Sequence, residues 1–204
     1  MIIIVDYGLG NIKAFANICN RLNLPFGIAQ TATDLMAATK IILPGVGSFD
    51  HAMKSLEQSG MRSALDHLVL KQQIPVLGVC VGMQMLAKSS EEGHLPGLAW
   101  IDGVVKKFDV VKLQHNEPLP HMGWNSVKKF TEHALFQGLP QDPYFYFLHS
   151  YYFVCDKAEN ILATTYYGEN FSCIINSDNI YGIQCHPEKS HQNGITFLKN
   201  FGNL

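Results

Sequence analysis

Ile74-Pro75-Val76-Leu77-Gly78-Val79-Cys80-Val81-Gly82-Met83-Gln84-Met85-Leu86-Ala87 sets an apolar run, a glycine-flanked cysteine and a helical pattern in direct succession. It reads as strand, sharp turn, helix. In a Gly-x-nucleophile-x-Gly elbow the nucleophile occupies a strained corner, and small flanking residues such as Gly78 and Gly82 let the backbone clear it. The same reading predicts an exposed sulfur close to the start of a helix over residues 83–87, where the helix dipole favours thiolate. A free cysteine is also a common small core residue, so the elbow alone leaves a purely structural role for Cys80 open.

Upstream of the elbow, strand and helix patterns alternate. Residues 2–5 are a continuous apolar strand, and 11–23 place Ile12, Phe15, Ala16, Cys19 and Leu22 on one helical face. Short strands follow at 26–29 and 40–43, the second closed by Pro44-Gly45-Val46-Gly47, then helices at 49–58 and 61–71, then the strand 76–79 that enters the elbow. Such alternation implies a parallel sheet covered on both faces. Downstream the pattern turns β-rich, at 104–111, 144–154, 161–167, 171–175 and 180–185, with a closing helix at 193–201. With no linker, repeat or low-complexity tract, residues 1–204 are expected to form one α/β domain. Its central sheet is mixed, mostly parallel with a smaller antiparallel portion, and flanked by helices.

The composition narrows the partners. The chain has 204 residues, 47% hydrophobic and 16% charged, which suits a folded domain with a substantial core. A net charge of −2 gives no reason to expect nucleic acid or an anionic membrane as partner. No apolar stretch reaches transmembrane length, and Met1-Ile2-Ile3-Ile4-Val5 is too short for a signal core and runs into Asp6. The five cysteines, 19, 80, 155, 173 and 185, form no CxxC pair, so neither disulfides nor a zinc site is expected and a reducing cytoplasm is the natural location.

A second segment gives the cysteine a partner. In Gln184-Cys185-His186-Pro187-Glu188, Pro187 holds His186 extended. Residues two apart in an extended chain point the same way, so His186 and Glu188 can face one side, depending on the bend at Pro187. Thiol, imidazole and carboxylate form a nucleophile–base–orienter set. Alone, His-Pro-Glu is a strand ending in a proline turn; with the elbow upstream, the catalytic reading is preferred. Two further loops follow strands. Asp6-Tyr7-Gly8-Leu9-Gly10-Asn11 is half a dinucleotide fingerprint, with Lys13 where the third glycine belongs, and is a weak signal. Pro44-Gly45-Val46-Gly47 could bring the amide of Val46 or Gly47, together with that of Val81, to an oxyanion, or be a plain tight turn. His51, His67, His94, His115 and His133 lack partners at ligand spacing and are expected at the surface. Tyr144-Phe145-Tyr146-Phe147 is expected in core and interface packing, and Glu91-Glu92 as a solvated pair that follows the elbow helix.

Taken in order, Pro44-Gly45-Val46-Gly47, Gly78-Val79-Cys80-Val81-Gly82-Met83-Gln84, His121-Met122-Gly123-Trp124-Asn125, His149-Ser150-Tyr151 and His186-Pro187-Glu188-Lys189-Ser190 make the chain resemble the class I (triad) glutamine amidotransferases over essentially its whole length. Within them it is similar to the glutaminase subunits that serve histidine biosynthesis. Two positions depart from the pattern: Val81 stands where leucine is usual, and Cys185 where phenylalanine is usual. The resemblance implies that Cys80 attacks the side-chain amide of L-glutamine, His186 moves the proton and Glu188 fixes the imidazole. It also implies that amides near Val46, Gly47 and Val81 hold the oxyanion, and that Gln84, Glu92, Ser150 and Tyr151 hold the substrate. No cofactor or metal is implied. Because the chain shows no acceptor site, a partner subunit is expected, and the resemblance implies that it is a (β/α)₈-barrel cyclase forming a heterodimer with this chain. That partner would receive ammonia through a channel to make imidazole glycerol phosphate and an aminoimidazole carboxamide ribotide. Asn11, Trp124, Tyr146 and Lys189 would face it, and the Pro-Gly-Val-Gly strand would be a switch it sets, with Gly45 and Gly47 making a peptide flip affordable.

Three other functions fit parts of this pattern. A paralogous glutaminase could feed a sugar amidotransferase in surface-polysaccharide synthesis, since fold and site do not name the acceptor. A γ-glutamyl thiol hydrolase fits less well with Gln84 and the His-Ser-Tyr segment. An inactive regulatory subunit fits less well with an intact Cys80, His186 and Glu188.

Overall fold

A computed structural model of the chain describes residues 1–113 and 118–204; His115 lies outside them. The first half runs β1 (Ile2–Val5), α1 (Ile12–Arg21), β2 (Phe26–Ala29), β3 (Lys40–Gly45), α2 (Phe49–Gln58), α3 (Arg62–Asp66), β4 (Val76–Cys80) and α4 (Val81–Gln84). The second half runs β5 (Gly103–Lys107), β6 (His121–Ser126), β7 (Lys128–Lys129), β8 (Tyr144–His149), β9 (Tyr151–Cys155), β10 (Ile161–Tyr167), β11 (Glu169–Ser177), β12 (Ile180–Ile183) and α5 (His191–Asn203).

The main sheet has the order β2-β1-β3-β4-β12-β11-β10-β7, with β9 paired to β11 and β5 to β9. It is parallel from β2 through β12 and antiparallel beyond. The inner strands of the parallel half are buried on both faces, so β1 is an unbroken apolar run with Ile2, Ile3, Ile4 and Val5 all buried, whereas the edge strand β2 leaves Ile28 exposed. Phe15 and Cys19 of α1, and Phe49, Ala52, Met53 and Leu56 of α2, are buried at helical spacing. α5 buries Phe197, Leu198 and Phe201.

Several elements depart from the expectation. The helix expected over 61–71 is α3 followed by a π-turn, His67–Lys71. The strand expected over 104–111 stops at Lys107, because Phe108 turns its N–H to the Ser150 carbonyl. The run 144–154 is two strands in two sheets: β8 pairs with β6 in a separate antiparallel ribbon, while β9 joins β5 and β11. β6 was not anticipated, since Gly123, at φ +133°, interrupts its pattern. α1 is shorter than 11–23, and the chain leaves it through Asn23 at φ +52°. α5 is longer than 193–201, beginning at His191.

The parallel order sets the site. Gly45 at the end of β3 is opposite Cys80 at the end of β4, and β12 runs beside β4 with Ile183 opposite Val79. The elbow, the Pro-Gly-Val-Gly loop and the segment leading to His186 therefore meet at the carboxyl end of the sheet, where open α/β folds bind ligands.

Candidate active site

Cys80 sits at φ +56°, ψ −114°. That is the first corner of a type II′ turn, normally left to glycine, and a cysteine held there stores strain of the kind found at functional sites. The surrounding backbone leaves no slack. A Cβ on Gly82 would lie 2.0 Å from the Leu43 carbonyl oxygen, and one on Gly45 would lie 2.3 Å from the Gly82 nitrogen. The elbow is thus seated directly against β3. Two expectations need correction. Cys80 is only 4% exposed, its sulfur reached from the cleft rather than from open solvent. The helix lies at Val81–Gln84 rather than 83–87 and is a single turn, too short for a dipole argument to carry weight.

His186 is extended, at φ −97°, ψ +92°, and Pro187–Lys189 form a 3₁₀ turn that swings Glu188 back beneath it. The His186 N–H donates to the Tyr146 carbonyl (2.8 Å), and the Ser190 hydroxyl donates to the His186 carbonyl (2.6 Å). His186 Nδ1 is 2.8 Å from Glu188 Oε1, and Asn11 Nδ2 donates to the same oxygen at 2.7 Å. The remaining ring nitrogen is left for the cysteine, which lines the same cleft with its sulfur 3.9 Å from the Leu148 carbonyl. Burial acts to lower the His186 pKa, but its neighbours Cys80 and Glu188 outweigh it and raise it to about 10. Burial also acts to raise the Glu188 pKa, yet the bond and charge of His186, with Asn11, hold it below the ordinary value. Both directions describe a buried ion pair, so Nδ1 carries the proton that bonds Glu188.

A cleft of about 320 Å³ opens over Cys80 and His186, at the small end of the range of about 300–1,000 Å³ typical of small-molecule sites. Val46, Gly47 and Val81 line it, as do Gln84, Glu92, Ser150 and Tyr151. Their availability differs. Gln84 is buried and spends its Nε2 on the Tyr151 carbonyl (3.0 Å) and Gln184 Oε1 (3.1 Å). Glu92 Oε2 accepts the Phe49 N–H at 2.8 Å, while burial raises its pKa. The loop glycines divide their roles: Gly45 is demanded by the elbow pressed on it, whereas Gly47, at φ +86°, meets nothing closer than His51 at 4.0 Å. Of the two glycines expected to allow a peptide flip, only Gly47 has room to move; Gly45 does not.

Of the residues expected to face a partner, Asn11 and Lys189 line the cleft itself. Trp124 is exposed, stacks on His191 (5.0 Å, 16°) and meets Tyr146 edge-on, with Lys189 Nζ 5.9 Å from the Tyr146 ring centre. Tyr144 is also exposed whereas Phe145 and Phe147 are fully buried, so the aromatic run alternates as a strand must. His51, His67 and His94 are exposed, but His133 is half-buried and accepts the Leu135 N–H. A second groove of about 850 Å³, between Lys128 and Asp142, is larger but holds none of these groups.

Three contributors escaped the sequence reading. Gln184, fully buried in an apolar strand extension, places Nε2 3.8 Å from Cys80 Sγ; a polar residue inside a buried run was the available signal. Tyr7 is buried and donates to the Pro44 carbonyl at 2.8 Å, and a Cβ on Gly10 would strike the Pro44 ring at 2.7 Å. Of the two glycines that resembled half a dinucleotide fingerprint, Gly10 thus serves close packing against the Pro-Gly-Val-Gly loop, whereas a Cβ on Gly8 would meet nothing within 4 Å. His121 and His149 form a buried pair that no spacing rule marks.

A family model described as glutamine amidotransferase class-I matches residues 3–203. The protein named imidazole glycerol phosphate synthase subunit HisH of Bdellovibrio bacteriovorus is 56% identical over 204 residues, covering all of both chains. The one of that name from Leptospira interrogans is 52% identical over the same span. Among solved structures, one described as a glutamine amidotransferase superposes with a TM-score of 0.73 at 17% identity, covering 98% of each chain. PurLQS from Thermotoga maritima superposes with a TM-score of 0.74 at 13% identity, covering 99% of this chain and 97% of that one. At those identities the two structures speak for the fold alone.

Proposed function

The chain belongs to the class-I glutamine amidotransferase family, and from that premise we propose that residues 1–204 form one glutaminase domain, the ammonia-producing subunit of an imidazole glycerol phosphate synthase in histidine biosynthesis. The observation that carries the chemistry is the Cys80–His186–Glu188 array at the base of a cleft of amino-acid size. The relatives identical at 50% or more over their full lengths carry the acceptor, since all are named as that synthase's subunit HisH.

Cys80 Sγ attacks the side-chain carbonyl carbon of L-glutamine. The carbonyl π-electrons move to oxygen, and the oxyanion is met by backbone N–H groups of Val46 or Gly47 and of Val81. His186 holds the proton on the nitrogen facing the sulfur and delivers it to the amide nitrogen, so the C–N bond breaks and ammonia leaves. Water then attacks the thioester carbonyl, gives a proton to His186, and expels the sulfur to leave glutamate. Glu188 keeps the imidazole oriented and its charge compensated, and Asn11 keeps Glu188 in place. Gln84, Glu92, Ser150 and Tyr151 hold the glutamine. Ammonia passes to a (β/α)₈-barrel cyclase that contacts Trp124, Tyr146, Lys189 and the Asn11 region. The resulting heterodimer works in the cytoplasm, and its combined reaction is that of a lyase.

The test is glutamate release from glutamine by the chain alone, with the cyclase, and with the cyclase and its ribotide ligand. Strong stimulation by the partner is expected. Full activity of the isolated chain would remove the switch at Gly47, and no glutamate in any arm would remove the glutaminase reading. Within the active assembly, Glu188→Gln is expected to lower kcat by about 10²–10⁴-fold with little change in KM, because the amide supports imidazole geometry but not imidazolium charge. Steady-state kinetics of a variant with an unchanged melting temperature check it; a drop below threefold would place Glu188 outside the mechanism.

A further inference from the structure

A line of hydrogen bonds outside the Cys80–His186–Glu188 array runs from the β6–β8 ribbon into the cleft. Its outer end is Asn125, whose amide orientation is fixed on both sides: Nδ2 donates to the Tyr166 carbonyl (2.8 Å) and Oδ1 accepts the Ser126 N–H (2.9 Å). Nδ2 also lies 3.3 Å from His121 Nε2. His121 Nδ1 is 3.1 Å from His149 Nε2, and His149 Nδ1 is 2.8 Å from the Tyr151 carbonyl. That carbonyl receives Gln84 Nε2 as well, and Gln84 leads through Gln184 to Cys80 Sγ.

The ends of this line dictate its protons. A backbone carbonyl only accepts, so His149 Nδ1 must carry hydrogen. If the ring is neutral its Nε2 is then an acceptor, which obliges His121 Nδ1 to donate and leaves His121 Nε2 bare to accept from Asn125. A single arrangement, both rings neutral and both protonated at Nδ1, satisfies every contact. The surroundings favour neutrality: burial holds His121 down to about 4, and burial with the adjoining His121 holds His149 down to about 3. Two aromatic rings fix the His121 plane, with centroids at 4.0 Å for Tyr167 and 4.9 Å for Phe147.

We propose that His121 and His149 form a neutral, single-tautomer strut that sets the Tyr151 carbonyl and, through it, the Gln84 amide, so that the ribbon positions the glutamine-binding side of the cleft. This rests on the glutaminase reading for its substrate. Both histidines are positioning residues, acting on glutamine through Tyr151 and Gln84.

The test has two arms. In ¹⁵N imidazole spectra of the histidine-labelled full chain at neutral pH, both rings are expected as the Nδ1–H tautomer, with assignments from the peaks lost in His121→Asn and His149→Gln. In the assembled enzyme, His121→Phe keeps the ring contacts but removes the donor, and is expected to raise the KM for glutamine about tenfold with kcat changed less than about threefold. His121→Asn, whose amide keeps a donor near the Nδ1 position, is expected to recover part of that loss. An Nε2–H tautomer on either ring overturns the strut, as does a folded His121→Phe enzyme with an unchanged KM. If His121→Phe does not fold, the spectra of the unaltered chain decide. Those spectra are readable whether or not the unaltered assembly releases glutamate, so failure of the strut and failure of the glutaminase reading remain separate results.

Discussion

Replacing Cys80 with alanine is expected to abolish glutamine hydrolysis in the assembled enzyme, by about 10⁴-fold or more, as loss of a triad nucleophile does elsewhere. The expectation follows from how little else in the cleft could attack. His186 is committed to Glu188, and Ser150 lies at the strand junction with no base assigned to it. The fold should survive, because alanine fills the Cys80 position without new contacts. A companion variant separates chemistry from architecture. Cys80 sits at φ +56°, ψ −114°, where a side chain costs about 1–3 kcal/mol and glycine almost nothing. Cys80→Gly should therefore be as inactive as Cys80→Ala yet more stable by about 1 kcal/mol or more. Chemical denaturation of the two variants, alongside glutamate release, reads both effects. Substantial turnover in either variant would sink the proposed nucleophile; equal stabilities would mean the corner is not strained.

The second large effect is structural. Gly82→Ala places a methyl group 2.0 Å from the Leu43 carbonyl oxygen and 3.0 Å from its carbon. Both partners are backbone, so no rotamer change can absorb the overlap, and either β3 or the elbow must move. A loss of about 3 kcal/mol or more is expected, at the upper end of overpacking effects, together with loss of glutaminase activity. The activity falls because Gly82 follows Val81, whose amide is one proposed oxyanion donor, and a single donor is worth about 2.7–4 kcal/mol in the barrier. Gly45→Ala meets the other side of the same contact, at 2.3 Å from the Gly82 nitrogen, and should behave alike. By contrast, Gly60→Ala meets nothing within 4 Å and loses only what its φ of +70° exacts, about 1 kcal/mol. The comparison is made by urea denaturation of all three. A Gly82→Ala chain as stable as Gly60→Ala would show that the elbow and β3 are not pressed together.

The close seating of elbow and strand also explains what the neighbouring polar groups do. Tyr7 bonds the Pro44 carbonyl from one side while Val81 and Gly82 press from the other. That clamps the start of the Pro-Gly-Val-Gly loop and leaves Gly47 as its adjustable end. A partner that biases the loop would find its leverage there, next to the cleft and within reach of the Asn11 and Lys189 side.

How far the sequence carried varies with the range of the interactions. The elbow was legible because its requirement is local: two glycines beside a cysteine at the end of an apolar run. His186-Pro187-Glu188 was legible for the same reason, although the 3₁₀ bend that brings Glu188 onto Nδ1 was not. Alternating strand and helix patterns gave the parallel half of the sheet. The antiparallel half was less legible. Residues 144–154 carry one continuous apolar pattern, yet the chain changes sheets at Ser150, a decision made by β6 and β5, which come from other parts of the chain.

By itself, the order of residues determined which chemical groups are present and pointed to those proposed to act: a glycine-flanked thiol, an extended histidine two residues from a carboxylate, and apolar runs long enough to bury a parallel sheet. Tertiary structure alone decided how those groups meet. Only when β3, β4 and β12 lie side by side do Cys80 and His186 share a cleft, does Asn11 reach Glu188, and do two histidines that had no assigned role join the ribbon to the cleft wall. The division has a physical cause, since backbone conformation answers to neighbours along the chain, whereas charge, burial and hydrogen bonding answer to whatever packing brings near.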